Sequence, residues 1–208
     1  MAVFDGRGNE AMATVHRVGR RMVSVRPTEK REPAPEPSVA IALGQALLKH
    51  DKMDRVIRDA VMLGVAEIRP FTSARTEIPN AAIRQGGRQS RWDRTVLASV
   101  KQCGRAVVPP VQPVVNFETV LGGLADVTIM FVEPGAVEPE PCALTQLETH
   151  VPAKAMILVG PEGGWDPSEL RAAQAAGVTM VRLGSRVLRA DAAGPLAMVA
   201  LQTVWKDL

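Results

Sequence analysis

Two short, nearly continuous apolar runs, Val127 to Val132 and Ala155 to Val159, constrain this chain more than any other feature. Runs of five or six apolar residues are far too short to span a bilayer. A strand covered on both faces has no polar side to alternate with, so such runs read as buried strands of a parallel sheet. The segments around them fit that reading. Val39 to Leu43, Glu67 to Pro70 and Val178 to Leu183 are further candidate strands. Between them lie stretches with helical spacing: Met53, Val56, Ile57, Ala60 and Val61 after a possible cap at Asp51, and Trp92, Val96, Leu97 and Val100 before Gly104. Asp166, Pro167 and Glu169 supply an N-cap, a proline at the first helical position and the acid of a capping box, and Gly177 ends that helix. A last helix is expected from about Asp191 to Trp205, with Pro195 in its first turn. Strands alternating with helices predict an α/β fold with a sheet covered on both faces.

The start of the chain differs. Val3-Phe4, Ala13 to Val18 and Met22 to Arg26 read as short strands separated by turn residues. They are too few to bury a core of their own. Pro27 to Pro37, rich in proline and charge, reads as an unpacked linker. The expected division is therefore a partial β-domain with linker at 1–37 and an α/β domain at 38–208.

Charge is uneven. The formal net charge is +3, yet residues 1–105 carry 19 Lys and Arg against 11 Asp and Glu, and the remainder carries 6 against 11. Of the 25 basic residues 19 are Arg, whose planar fork suits phosphate and base edges. A basic first half fits a nucleic-acid partner, and it fits a solvated Arg-rich surface as well. Arg84, Arg88, Arg91 and Arg94 form a stripe if that segment is helical, and a loop if Gly86-Gly87 interrupts it. Cys103 and Cys142 have neither the number nor the spacing of a disulfide framework or a zinc site, and the three histidines are scattered. No metal is expected. Without a leader-like or membrane-spanning segment, the economical location is a reducing cytoplasm.

In an open parallel sheet ligands bind where loops leave the C-terminal strand ends. Three such loops stand out: Glu133 to Ala136, Gly160 to Trp165 and Gly184 to Ala190. None is a P-loop, since no lysine follows the glycines, and none is a dinucleotide fingerprint. Glu162 within the second loop repels a polyphosphate and suits a cofactor with positive charge, such as a sulfonium.

The segments LVGPEGGWDPSEL (Leu158 to Leu170) and LGSRVLRADAAGPLAMVALQ (Leu183 to Gln202) resemble the paired C-terminal signatures of the RsmE family of RNA methyltransferases. Ala46 to Lys49, Asp51 to Asp54, Leu63 to Val65, Ile68 to Pro70, Arg91-Trp92 and Gln102 to Pro109 match in the family's order. The resemblance implies a SPOUT-type methyltransferase domain with a C-terminal trefoil knot, preceded by a small PUA-like β-domain that here matches only its second half. It implies S-adenosylmethionine as methyl donor, a homodimer, and methylation of N3 of a uridine in the decoding region of 16S ribosomal RNA. Carried over, the cofactor-binding residues are Glu133, Leu158, Gly160, Pro161, Gly163, Gly164, Leu183, Gly184, Val187 and Leu188. The catalytic candidates are Arg189, facing phosphate or uracil, and Glu162. The RNA-binding candidates are Arg84, Arg88, Arg91 and Arg105. The acceptor of the N3 proton stays open among Glu162, Asp191, a water and an RNA group. Four positions depart from the family pattern: Asp191 and Ala192, where Asp191-Ala192-Ala193 stands for Glu-Thr-Ala, Trp165 for Phe and Met62 for Glu. Trp165 reads equally as packing anchor or adenine platform. The alternatives are a SPOUT enzyme acting on another RNA, and a catalytically silent RNA-binding or ribosome-assembly protein.

Overall fold

A computed structural model describes residues 1–79, 87–123, 125–138, 140–148 and 151–208. Its centre is a seven-stranded, wholly parallel sheet. The strands are β4 (Ala40–Ala46), β5 (Glu67–Thr72), β6 (Val115–Asn116), β7 (Val127–Phe131), β8 (Cys142–Ala143), β9 (Lys154–Val159) and β10 (Thr179–Arg182), in the order β6-β5-β4-β9-β7-β10-β8. The two apolar runs are adjacent: β7 pairs with β9 from Val127↔Ala155 to Phe131↔Val159. On its other side β9 pairs with β4. Ile157 therefore faces one apolar cluster and Met156 and Leu158 the other, all fully buried, as the two-residue period of a strand requires.

Helices cover both faces. Helices α1 (Lys52–Met62), α2 (Arg88–Cys103) and α5 (Ala190–Val204) enclose the first cluster through Ile57, Val96 and Met198. Short α3 (Phe117–Leu121) and α4 (Pro167–Ala175) enclose the second through Phe117, Leu170 and Ala173. The capping box at α4 forms as the sequence predicts: Asp166 accepts from the Ser168 amide at 2.9 Å, and Glu169 accepts from the Asp166 amide at 3.0 Å. Asp166→Ala is expected to cost about 1 kcal/mol in chemical denaturation.

Several local expectations need correction. Asp51 does not cap α1 through its side chain; its carboxylate takes Arg55, one turn on, at 2.9 Å. Leu97 is 40% exposed, and Ser99 is buried beside Val96 and Val100. Pro195 lies beyond the first turn of α5, because the helix begins at Ala190. With no N–H, Pro195 leaves the carbonyl of Asp191 without its usual partner one turn later.

The opening segment forms a three-stranded antiparallel sheet, β1 (Ala2–Phe4), β2 (Glu10–Val18) and β3 (Val23–Arg31). Strand β3 runs five residues into the expected linker. Pro27 is tolerated because β3 is an edge strand and Pro27 sits opposite Ala13, where the register shifts. The sheet has little core: Ala13 is buried, while Val18 and Met22 are more than 70% exposed. It leans on the larger unit through Gly8 N–H to Ala106 O and Val108 N–H to Gly6 O, at 3.1 and 3.0 Å.

The chain's end is tied to the start of β4 by Asp207. Its carboxylate accepts from the Ser38 and Val39 amides at 2.8 and 2.9 Å and from the Ser38 hydroxyl. Burial pushes this carboxyl up, but the Ser38 and Val39 hydrogen bonds together outweigh it and hold it below its ordinary value. A carboxyl lowered in the folded state stabilises above the unfolded pKa and loses that contribution as pH falls. Asp207→Asn is therefore expected to be less stable than wild type at neutral pH, with the gap in urea midpoint closing below about pH 4.

Candidate functional site

The C-terminal ends of β7, β9 and β10 open into one cavity of about 330 Å³, within the range of small-molecule sites. All three loops singled out by sequence contribute to it. Its walls include Glu133 after β7, Gly160, Pro161 and Glu162 after β9, and Leu183, Val187, Leu188 and Arg189 after β10. The first turn of α5 closes one side with Ala190, Asp191 and Ala193, and Lys52 at the start of α1 closes another.

Trp165 shapes the floor. It is 4% exposed, its indole N–H donates to Phe131 O at 2.9 Å, and its ring stacks near-parallel to Phe71 with centroids 6.1 Å apart. A Cβ on Gly160 would lie 3.0 to 3.3 Å from three atoms of that ring, so any larger residue there would have to push against the indole. Gly164 has φ +71°, and a Cβ there would lie 2.9 Å from Glu133 Oε1. These two glycines bring the second loop against the first. Trp165 is thus a packing anchor whose edge reaches the cavity.

Charge in the cavity is arranged in pairs. Lys52 Nζ lies 2.9 Å from Glu162 Oε1, which also accepts from the Lys49 amide at 3.2 Å. Arg189 grips Asp191 with two hydrogen bonds of 3.0 Å. For Glu162, burial is the largest influence and raises the pKa, but hydrogen bonds from Lys52 and from backbone amides outweigh it and leave the carboxyl below its usual range. For Asp191 the Arg189 hydrogen bond is the main cause of the lowering. Both carboxylates are ionised at neutral pH. With Glu133 on one side and Arg182 and Arg186 on another, the lining carries both signs, as a ligand with a sulfonium, an amino group and a carboxylate requires, and the exposed Gly-rich backbone offers amides and carbonyls for a base. The residues present therefore fit S-adenosylmethionine.

Other expected site residues lie elsewhere. Leu158 is fully buried in the sheet core. Gly163 packs against Arg75, which donates to its carbonyl at 3.1 Å. Gly164 abuts Glu133 behind the wall, and Gly184 is exposed beyond it. Arg105 is 6% exposed and spends its guanidinium on Glu36 and on the carbonyls of Val61 and Val65. That interior position corrects its assignment to RNA contact. Arg88 lies over the Trp92 ring, 5.8 Å from its centroid, and Arg91 pairs with Asp54. Both border a second, separate depression with Lys49 and His50. Arg84 lies outside the described residues. Sequence reasoning missed Lys52, Arg182 and Arg186 on the cavity wall. Lys52 stood within a matched segment, but no local signal gave it a role.

Comparison with known proteins agrees with this geometry. Residues 35–202 match the RNA methyltransferase domain family. The ribosomal RNA small subunit methyltransferase E of Buchnera aphidicola (from Acyrthosiphon pisum) is 24% identical over 208 residues, all of this chain and 80% of its own. The protein of that name from Mycobacterium tuberculosis is 29% identical over 97% of this chain and 77% of its own. Among solved structures, the Neisseria gonorrhoeae methyltransferase E bound to S-adenosylmethionine superposes with TM-score 0.85 at 29% identity, covering 99% of this chain and 83% of that one. Lpg2936 from Legionella pneumophila, solved with S-adenosylmethionine, gives 0.86 at 25% identity, covering 97% and 81%. Fold, cavity and domain match together define an RNA methyltransferase. Within that class, the chain belongs to the RsmE family.

Proposed function

We propose that this protein transfers the methyl group of S-adenosylmethionine to N3 of a uridine in 16S ribosomal RNA, acting as a homodimer in the cytoplasm. The observation that carries the reading is the cavity at the ends of β7, β9 and β10, built from the three loops of the RNA methyltransferase domain. Its lining of both signs, with Glu133, Glu162 and Asp191 among Lys52, Arg182, Arg186 and Arg189, suits a ligand that itself carries both signs. The names of the relatives support ribosomal RNA of the small subunit as substrate. No helix among the described residues is long and apolar enough to cross a membrane.

In this reading residues 38–208 form the methyltransferase domain, with the trefoil knot of its superfamily, and residues 1–37 are a partial PUA-like unit and its connection. Gly160, Pro161, Leu183, Val187 and Leu188 hold the cofactor, largely through backbone groups, and Glu133 faces its positive end. Arg189 lies at the exposed mouth of the cavity, 71% exposed, where it meets the RNA. Arg88 and Arg91 on α2 extend the basic surface for phosphate. The cofactor's methyl group is already activated, so the protein's contribution is alignment of N3 with it.

The test is methyl transfer from labelled S-adenosylmethionine to small ribosomal subunits lacking this modification, followed by nucleoside analysis. Labelled N3-methyluridine is expected. Label in another nucleoside, or in transfer RNA alone, points to a different RNA substrate. Absence of label with intact cofactor binding points to a silent RNA-binding role.

A further inference from the structure

We propose that Lys52 is a catalytic cation of this site, its ammonium facing the uracil and stabilising the negative charge that spreads over O2 and O4 once N3 has lost its proton. The inference rests on the substrate reading above. It follows from how charge is already committed around the cavity. Arg189 holds Asp191 with both arms of its guanidinium. Arg182 pairs with Glu140 at 2.7 Å, and Arg186 lies on the exposed stretch after β10. Lys52 is more sheltered, its side chain 27% exposed, and it stands at the first position of α1 on the cavity wall. Glu162 engages one ammonium proton, and an ammonium has three to give.

The same commitments argue against a carboxylate as proton acceptor. Glu162 takes Lys52 and the Lys49 amide, and Asp191 takes Arg189. Anions fixed by such partners are weak bases. The chemistry then balances without one. The N3 proton passes to solvent hydroxide, giving water and a uracil anion whose charge lies mainly on the two ring oxygens. The N3 lone pair then takes the methyl carbon as the carbon–sulfur bond breaks, with the bonding pair left on sulfur. The products are N3-methyluridine and neutral S-adenosylhomocysteine. A cation beside the ring oxygens makes N3 more acidic, because it favours the charged form of its neighbour. Glu162 is then a positioning residue that orients the ammonium, a role different from the catalytic one its sequence position suggests.

The experiment uses the full chain and small ribosomal subunits in single turnover, at saturating S-adenosylmethionine, from neutral to alkaline pH. Lys52→Met and Lys52→Gln are expected to lower the rate at neutral pH by about 100-fold, the usual effect of losing one charge-stabilising donor. Their deficit shrinks as pH rises, because hydroxide does more of the work. Lys52→Arg retains most of the rate. Calorimetry should give S-adenosylmethionine and S-adenosylhomocysteine affinities within about threefold of wild type for all three, since the lost interaction belongs to the transition state. Wild-type rate and pH profile in Lys52→Met overturn the proposal. So does a defect confined to cofactor affinity with a normal saturating rate, which places Lys52 on the cofactor instead. If wild type itself forms no N3-methyluridine, the substrate reading fails and this inference falls with it.

Discussion

Replacement of Trp165 by alanine is expected to cost about 3–5 kcal/mol of stability, the range for deleting a buried large aromatic. Trp165 joins three things that otherwise do not meet. Its ring closes an aromatic cluster with Phe71 and Phe117 under the sheet, with centroids 6.1 and 5.6 Å away. Its N–H satisfies the carbonyl of Phe131 at the end of β7. Its upper surface carries Gly160 of the second cavity loop. Without the indole, a cavity opens in the core and the loop loses its support, so cofactor affinity should fall together with the urea midpoint. Trp165→Phe keeps most of the ring and loses the N–H. Its expected cost is about 1 kcal/mol, with cofactor binding retained. Equal effects for the two variants would mean that the hydrogen bond, not the packing, carries the site.

Arg105→Ala is expected to destabilise the fold by about 3 kcal/mol, the lower end for breaking a buried ion pair from one side. The change removes donors from the carbonyls of Val61 and Val65 at the end of α1 and leaves Glu36 without its cation. The same guanidinium links the segment before β4 to the body of the domain, so the small N-terminal sheet should loosen as well. Denaturation midpoints and RNA affinity measured on the same samples separate the roles. A folded variant of unchanged midpoint and weakened RNA binding would restore Arg105 to the RNA surface. An Arg91→Ala variant should do the opposite, because Arg91 is 57% exposed and its pair with Asp54 is a surface one.

The parts of the molecule legible in the sequence are those whose cause is local. The start of α4 was readable because Asp166, Pro167 and Glu169 cap their own helix within four residues. Strands β7 and β9 were readable because a strand buried on both faces needs no polar alternation. The cavity loops were readable because the glycines stand directly after those strands. The misreadings have non-local causes. Pro27 looked like the start of a linker, and it lies in a strand only because Ala13 opposes it at an irregularity in the register. Leu97 has the spacing of a core residue, but helix α2 turns Ser99 inward in its place. The burial of Arg105 depends on Glu36, distant by 69 residues, and the place of Lys52 depends on Glu162, distant by 110. Nothing in either residue's neighbourhood announces such a partner.

The central claim is that the cavity at the ends of β7, β9 and β10 binds S-adenosylmethionine, and the most direct measurement is a calorimetric titration of the full chain. The expected result is one site per chain for S-adenosylmethionine, competed by S-adenosylhomocysteine, indifferent to ATP, and lost in Trp165→Ala under conditions where that variant is still folded. No heat with S-adenosylmethionine, or binding of ATP in its place, would contradict the account.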